Sequence, residues 1–128
     1  KSGALITGGS VDINQSRMDF SLDEFDREKI NEYVKIANEK AAKGVLVTVS
    51  FMPKEEAMKI PSIVKLAVAT PPDTKELRIV EIGSGPNRID MQADGGVHIA
   101  NTKEMGEIEI VKMENKGKSN RRIYYTLK

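Results

Sequence analysis

Apolar side chains recur every third or fourth position across residues 22–43. Leu22, Phe25, Ile30, Tyr33, Val34, Ile36, Ala37 and Ala41 fall on one half of a helical wheel. Glu24, Glu28, Asn31, Glu32, Lys35 and Glu39 fill the other half. Ser21-Leu22-Asp23-Glu24 has the S-x-x-E form of a capping box, in which the Ser hydroxyl accepts from a free amide of the first turn and Glu24 reaches back to the cap amide. Asp23, Glu24 and Asp26 place negative charge at the positive end of the helix dipole. Lys43 supplies positive charge at the other end, and Gly44 a left-handed stop. The pattern predicts one long helix over residues 22–43, with its apolar face laid against a sheet.

Elsewhere the period drops to two. Residues 45–52 are rich in β-branched side chains, apolar at every odd position and mixed at even ones, which suits a central strand. Pro53 heads one helical turn over 53–59. Residues 63–68 alternate, with Val64, Leu66 and Val68 on one face, and Pro71-Pro72-Asp73 forces a turn. Residues 77–82 form a strand that ends in the loop Gly83-Ser84-Gly85-Pro86-Asn87. Asp94-Gly95-Gly96 between residues 88–92 and 97–100 reads as a hairpin whose tight turn requires Gly95 at positive φ. Residues 107–113 and 122–127 are the last two strands, joined by a polar connection over 114–120. Near the start, Thr7-Gly8-Gly9-Ser10 punctuates the chain, and residues 11–14 and 17–20 make the arms of an N-terminal strand or hairpin.

Strands, one helix, then about six strands with no second long helix exclude a doubly wound α/β fold, which alternates the two. The expected class is α+β: mostly antiparallel β-sheet, as a sandwich, barrel or open sheet, with one long packed helix at 22–43. A length of 128 residues, with 39% hydrophobic and 30% charged, fits a single globular domain over 1–128. No apolar run approaches the roughly 20 residues of a membrane-spanning helix. The chain starts at Lys1 rather than Met, and its first apolar stretch is too short for a signal peptide. It therefore reads as a cut fragment, a trimmed chain or a processed product, and its compartment is left open.

Composition removes several chemistries. There is no Cys, hence no disulfide, thiol nucleophile or thiolate zinc site. There is one His, His98, without a second His or Cys to complete a metal site or a triad. Between Val97 and Ile99 on a strand it is expected on the surface and dispensable. The Gly83–Arg88 loop resembles a phosphate cradle, but a strand follows it where a phosphate loop opens a helix. Asp12-Ile13-Asn14 lacks the central Gly and terminal Glu of a calcium loop. These readings predict no enzyme, no catalytic residue, no metal and no cofactor.

Charge supplies the one positive lead. Net charge is +1, yet residues 111–128 hold six basic side chains against one acid. Lys112, Lys116, Lys118, Arg121, Arg122 and Lys128 surround Tyr124 and Tyr125. With Ile123, Tyr125 and Leu127 facing a core, Arg122, Tyr124, Thr126 and Lys128 share the outer face. A basic loop beside an exposed Tyr suits a nucleic-acid backbone and a stacked base. The first reading is therefore a non-catalytic module binding single-stranded nucleic acid through Lys112, Lys116, Lys118, Arg121, Arg122, Tyr124 and Lys128. The alternative is a structural or assembly domain of a viral, phage or cell-surface particle, working through self-association or another protein partner.

Overall fold

The computed structural model describes residues 2–63 and 73–128. In chain order the elements are β1 (Ile6–Ser10), β2 (Ser16–Phe20), α1 (Arg27–Ala41), β3 (Val47–Pro53), α2 (Lys54–Ala57), β4 (Glu76–Ile82), β5 (Asp90–Ala93), β6 (Ile108–Asn115) and β7 (Arg121–Leu127). Short 3₁₀ turns occupy Gly85–Asn87 and Thr102–Met105. The fold is α+β, with two antiparallel sheets and one main helix, as the periodicity implied. The chain forms two compact units: Lys1–Ala42 with Gly106–Lys128, and Lys43–Met105.

The first unit is a four-stranded sheet of order β1-β2-β7-β6, with α1 packed against β6. Ile30 of α1, Met113 of β6 and Ile123 of β7 are its buried centre, surrounded by Met18, Phe20, Leu22, Phe25, Ile110 and Tyr125. Asn38 ties helix to sheet: its side-chain amide donates to the Ile108 carbonyl at 2.8 Å, and its oxygen accepts from the Ile108 amide at 2.9 Å.

α1 starts five residues later than the capping-box pattern predicts. Asp26 is the cap, accepting from the amides of Glu28 and Lys29 at 2.9 and 3.1 Å. Ser21 is engaged elsewhere: its hydroxyl accepts from the Leu5 amide and its own amide donates to the Leu5 carbonyl, both at 2.9 Å. Leu22 and Phe25 still reach the core, but from non-helical chain. At the other end the helix stops at Ala41, and Gly44 takes φ +70°, the left-handed conformation expected of it. Thr7-Gly8-Gly9-Ser10, expected as a break, lies within β1, paired with β2.

The second unit is a three-stranded sheet of order β3-β4-β5. Ala57, Ile63, Leu77, Ile79 and Met91 form its core, with Met52, Ile60 and Ala93 against them. The apolar β3, expected at the centre of a sheet, stands at the end of this order, and Phe51 is 66% exposed. The predicted hairpin of 88–92 with 97–100 is absent. β5 pairs instead with β4, from Ile79 opposite Ala93 to Ile82 opposite Asp90, and 94–101 runs on as a loop. Gly95 is not at positive φ, because Asp94 turns the chain through its side chain rather than through a two-residue turn. The strand expected at 63–68 lies, apart from the buried Ile63, outside the described residues, as does most of the turn at 71–73.

Candidate functional site

The basic residues of β6 and β7 do not form one open patch. Arg121, expected at a loop, is 5% exposed and props up the β6–β7 turn from inside. Its Nη1 donates to Asn115 Oδ1 and the Gly117 carbonyl, each at 2.7 Å, and to the Asn120 carbonyl at 3.2 Å. Its Nη2 donates to the Asp23 carbonyl at 2.7 Å, and the guanidinium lies 5.8 Å from the Phe25 ring centre.

Arg122 grips Asp19 across the sheet as a fork, Nε to Oδ1 at 2.7 Å and Nη2 to Oδ2 at 2.9 Å. That hydrogen bond, outweighing desolvation, lowers the Asp19 carboxyl below its ordinary value. Tyr124 donates its hydroxyl to Glu114 at 3.1 Å, and the Lys112 ammonium lies 5.7 Å from its ring centre. Lys112 and Lys116 both pair with Glu114, the latter at 3.1 Å. Lys128 pairs with Glu109. Lys118 is exposed on the connecting loop, with no ion-pair partner among the described residues. The structure thus brings Lys112, Lys116, Arg122 and Tyr124 together around Glu114 and Asp19, and sets Arg121, Lys118 and Lys128 apart.

Glu114 titrates unusually low in this setting. The bond from Lys112 is the largest cause, then that from Lys116; against the opposing desolvation they hold its carboxyl at about 2 instead of 4.5. A depressed folded-state pKa contributes stability in full above the unfolded value, and that contribution is lost as pH falls through the folded value. Glu114→Gln is therefore expected to lower the thermal midpoint at neutral pH. The deficit should shrink as pH drops from about 4.5 towards 2. Midpoints measured across that range check the sign, and parallel curves for the two proteins would refute it.

A second constellation sits in the 94–101 loop of the other unit. Asp94 uses both carboxylate oxygens. Oδ1 accepts from the Gly96 amide at 2.6 Å, and Oδ2 lies 3.2 Å from Nε2 of His98. The two side chains are 41% and 31% exposed, so the pair is open to solvent while partly shielded. The far end of the loop is fixed to the start of β3, where the Val47 amide donates to the Ala100 carbonyl at 2.9 Å. Asn101 and Glu104 cap the 3₁₀ turn reciprocally: Asn101 Oδ1 accepts from the Lys103 amide and Glu104 Oε1 from the Asn101 amide, each at 2.9 Å.

His98 is consequently not the partnerless strand residue that the sequence predicted. The missed signal was Asp94, four residues before it, in a segment read as strand-turn-strand. A carboxylate beside an imidazole fixes the orientation of the ring, and an oriented imidazole can take a proton from water. Among the described residues no group of three or more His, Asp and Glu side chains is placed to hold a metal ion. None of the described helices is long and apolar enough to cross a membrane.

Residues 77–124, which include this loop and most of β6–β7, match the family described as the threonyl and alanyl tRNA synthetase second additional domain. The alanyl-tRNA editing protein AlaX-M of Saccharolobus solfataricus is 48% identical over 128 residues, 100% of this chain and 52% of that protein. The chain is similar to alanyl-tRNA editing proteins. AlaX-M of Methanosarcina barkeri is 44% identical over 128 residues, 99% of this chain and 51% of that protein. The alanine–tRNA ligase of Methanococcus vannielii is 38% identical over 110 residues, 84% of this chain but 12% of the ligase. The chain spans about half the length of the AlaX-M relatives it matches.

These likenesses overturn three expectations. Relatives named for tRNA editing contradict the non-catalytic binding module, the absence of an enzyme, and the structural or assembly domain of a particle. The error has a physical source. Clustered Cys and His are one route to catalysis, and an imidazole held by a single carboxylate, as His98 is by Asp94, is another that composition does not display.

Proposed function

We propose that this chain is part of an alanyl-tRNA editing enzyme that hydrolyses the ester linking a wrong amino acid to tRNA. The observation that carries the reading is the 48% identity to AlaX-M across the whole chain. The Asp94–His98 pair supplies matching chemistry. Water attacks the ester carbonyl while His98 takes its proton and Asp94 supports the resulting imidazolium. The tetrahedral intermediate then expels the ribose oxygen, which regains a proton, releasing free amino acid and intact tRNA. We place contact with the tRNA backbone on the exposed basic side chains at the β6–β7 margin, Lys118 first. Arg121 is excluded because it is buried and both its Nη donors are committed inside the turn.

Amino acids that escape an alanine-sized pocket define the substrate class. Glycine lacks one methyl and serine adds one hydroxyl, differences a small pocket rejects weakly. The test is release of labelled serine, glycine or alanine from charged tRNA, with intact protein and with His98→Ala. Hydrolysis of the serine or glycine ester, reduced about a hundredfold or more in the variant, is the expected result. No hydrolysis by the intact protein would sink the reading. Loss of activity on adding a chelator would reassign His98 from proton acceptor to metal ligand.

A further inference from the structure

The 94–101 loop carries the reactive pair but has no regular structure of its own, so something must hold it. Its C-terminal end is fixed by hydrogen bonds to residues 45–47. Its N-terminal end hangs on one residue of β4. Nη1 of Arg78 donates to the carbonyl of Asp94 at 2.7 Å and to that of Gly96 at 2.8 Å. The Asp94 amide returns a bond to the Arg78 carbonyl at 3.1 Å. The last β4–β5 pair is Ile79 with Ala93, so Arg78 and Asp94 occupy the next rung, where the chain leaves the sheet. One guanidinium nitrogen thereby fixes the backbone on both sides of Gly95. The same two residues, Asp94 and Gly96, form the carboxylate-to-amide turn that aims Oδ2 at His98.

We propose that Arg78 is a positioning residue for the Asp94–His98 pair, a role that rests on the editing reading for its kinetic consequence but not for its geometry. Arg78 is half-buried, and both acceptors are main-chain carbonyls that water can satisfy once the guanidinium is gone. Removing it therefore frees the loop and leaves the sheet standing. The cost falls on the geometry of the reacting groups: a displacement of about an ångström is worth up to a hundredfold in rate. Substrate binding made by other residues is untouched, so turnover falls while KM holds.

The experiment compares intact protein with Arg78→Ala, Arg78→Lys and Arg78→Gln by amide exchange, imidazole NMR and turnover of serine-charged tRNA. His98 is the only histidine, so its ring signals need no disentangling. In Arg78→Ala, exchange of the Gly96 amide should accelerate at least about tenfold while amides within the β4–β5 ladder keep their protection. The His98 ring signals should narrow as the ring gains motion. Turnover should fall about tenfold to a hundredfold at unchanged KM, with partial recovery in Arg78→Lys. If Arg78→Ala fails to fold, Arg78→Gln carries the same readouts. Unchanged Gly96 exchange and His98 signals would overturn the proposal, as would equal loss of protection throughout β4 and β5. If intact protein lacks hydrolysis while the exchange and ring signals change as stated, the anchoring stands and the editing reading falls.

Discussion

Ile30→Asp is expected to melt the first unit well below the temperature at which the unaltered protein unfolds. Ile30 is 6% exposed and touches the centre formed by Met113 of β6 and Ile123 of β7. An aspartate there stands among the apolar side chains of Met113, Ile123 and their neighbours, so it must either carry its charge in those surroundings or bind a proton. Either costs several kcal/mol. Domains are held by roughly 5–15 kcal/mol in all, so the loss is a large share. Ala37 gives the control. The helical wheel places it on the packed face, but the structure leaves it exposed. Ala37→Asp should change stability by about 0.5 kcal/mol or less. Thermal unfolding followed by far-ultraviolet circular dichroism measures both, and an unchanged midpoint in Ile30→Asp would mean that the helix packs by another face.

Arg121→Ala should be nearly as damaging, for the opposite reason: it removes a charge that the interior has organised around. The acceptors on Asn115, Gly117, Asn120 and Asp23 would lose their donor at once. Hydrogen bonds from a charged donor contribute about 1.5–3 kcal/mol each and are not additive, so a total near 3 kcal/mol is expected. Denaturant titration reads this directly. A guanidinium kept for phosphate would behave differently, with tRNA affinity falling and stability unmoved. That outcome would restore Arg121 to the contact surface.

Legibility followed how local each decision was. The C-terminal end of α1 was readable because Gly44 needs only its own φ. The N-terminal end was not, since the contest between Ser21 and Asp26 is decided by Leu5, sixteen positions before Ser21. Alternation along residues 121–127 correctly turned Ile123 and Tyr125 inward. The same parity points Arg121 inward, but its charge overrode the pattern in the reading of the sequence. The Asp94–His98 pair was hidden by a plausible hairpin signal. Asp-Gly-Gly suits a tight two-residue turn, and it suits equally a carboxylate capping its own chain, and only the pairing of β5 with β4 separates the two. The editing reading itself came from likeness to relatives, because one carboxylate and one imidazole do not name a substrate.

Residues Lys43–Met105 interrupt the chain of the first unit, and that interruption bears on how its sheet forms. Asp19 and Arg122, partners across β2 and β7, are separated by 103 positions in the chain. Closing so long a flexible loop is entropically costly, and sheets built on distant pairings assemble slowly. The inserted unit shortens the path, because its own ends are sewn together. The Val45 amide donates to Thr102 Oγ1 at 2.8 Å, and the Thr102 amide donates to the Val45 carbonyl at 2.9 Å. Once Lys43–Met105 has folded, α1 and β6 are delivered side by side, and the long loop behaves as a short one. Assembly is thus expected to be sequential, insertion first. A substitution that weakens the insertion would slow the meeting of β2 and β7 without altering any residue of their sheet.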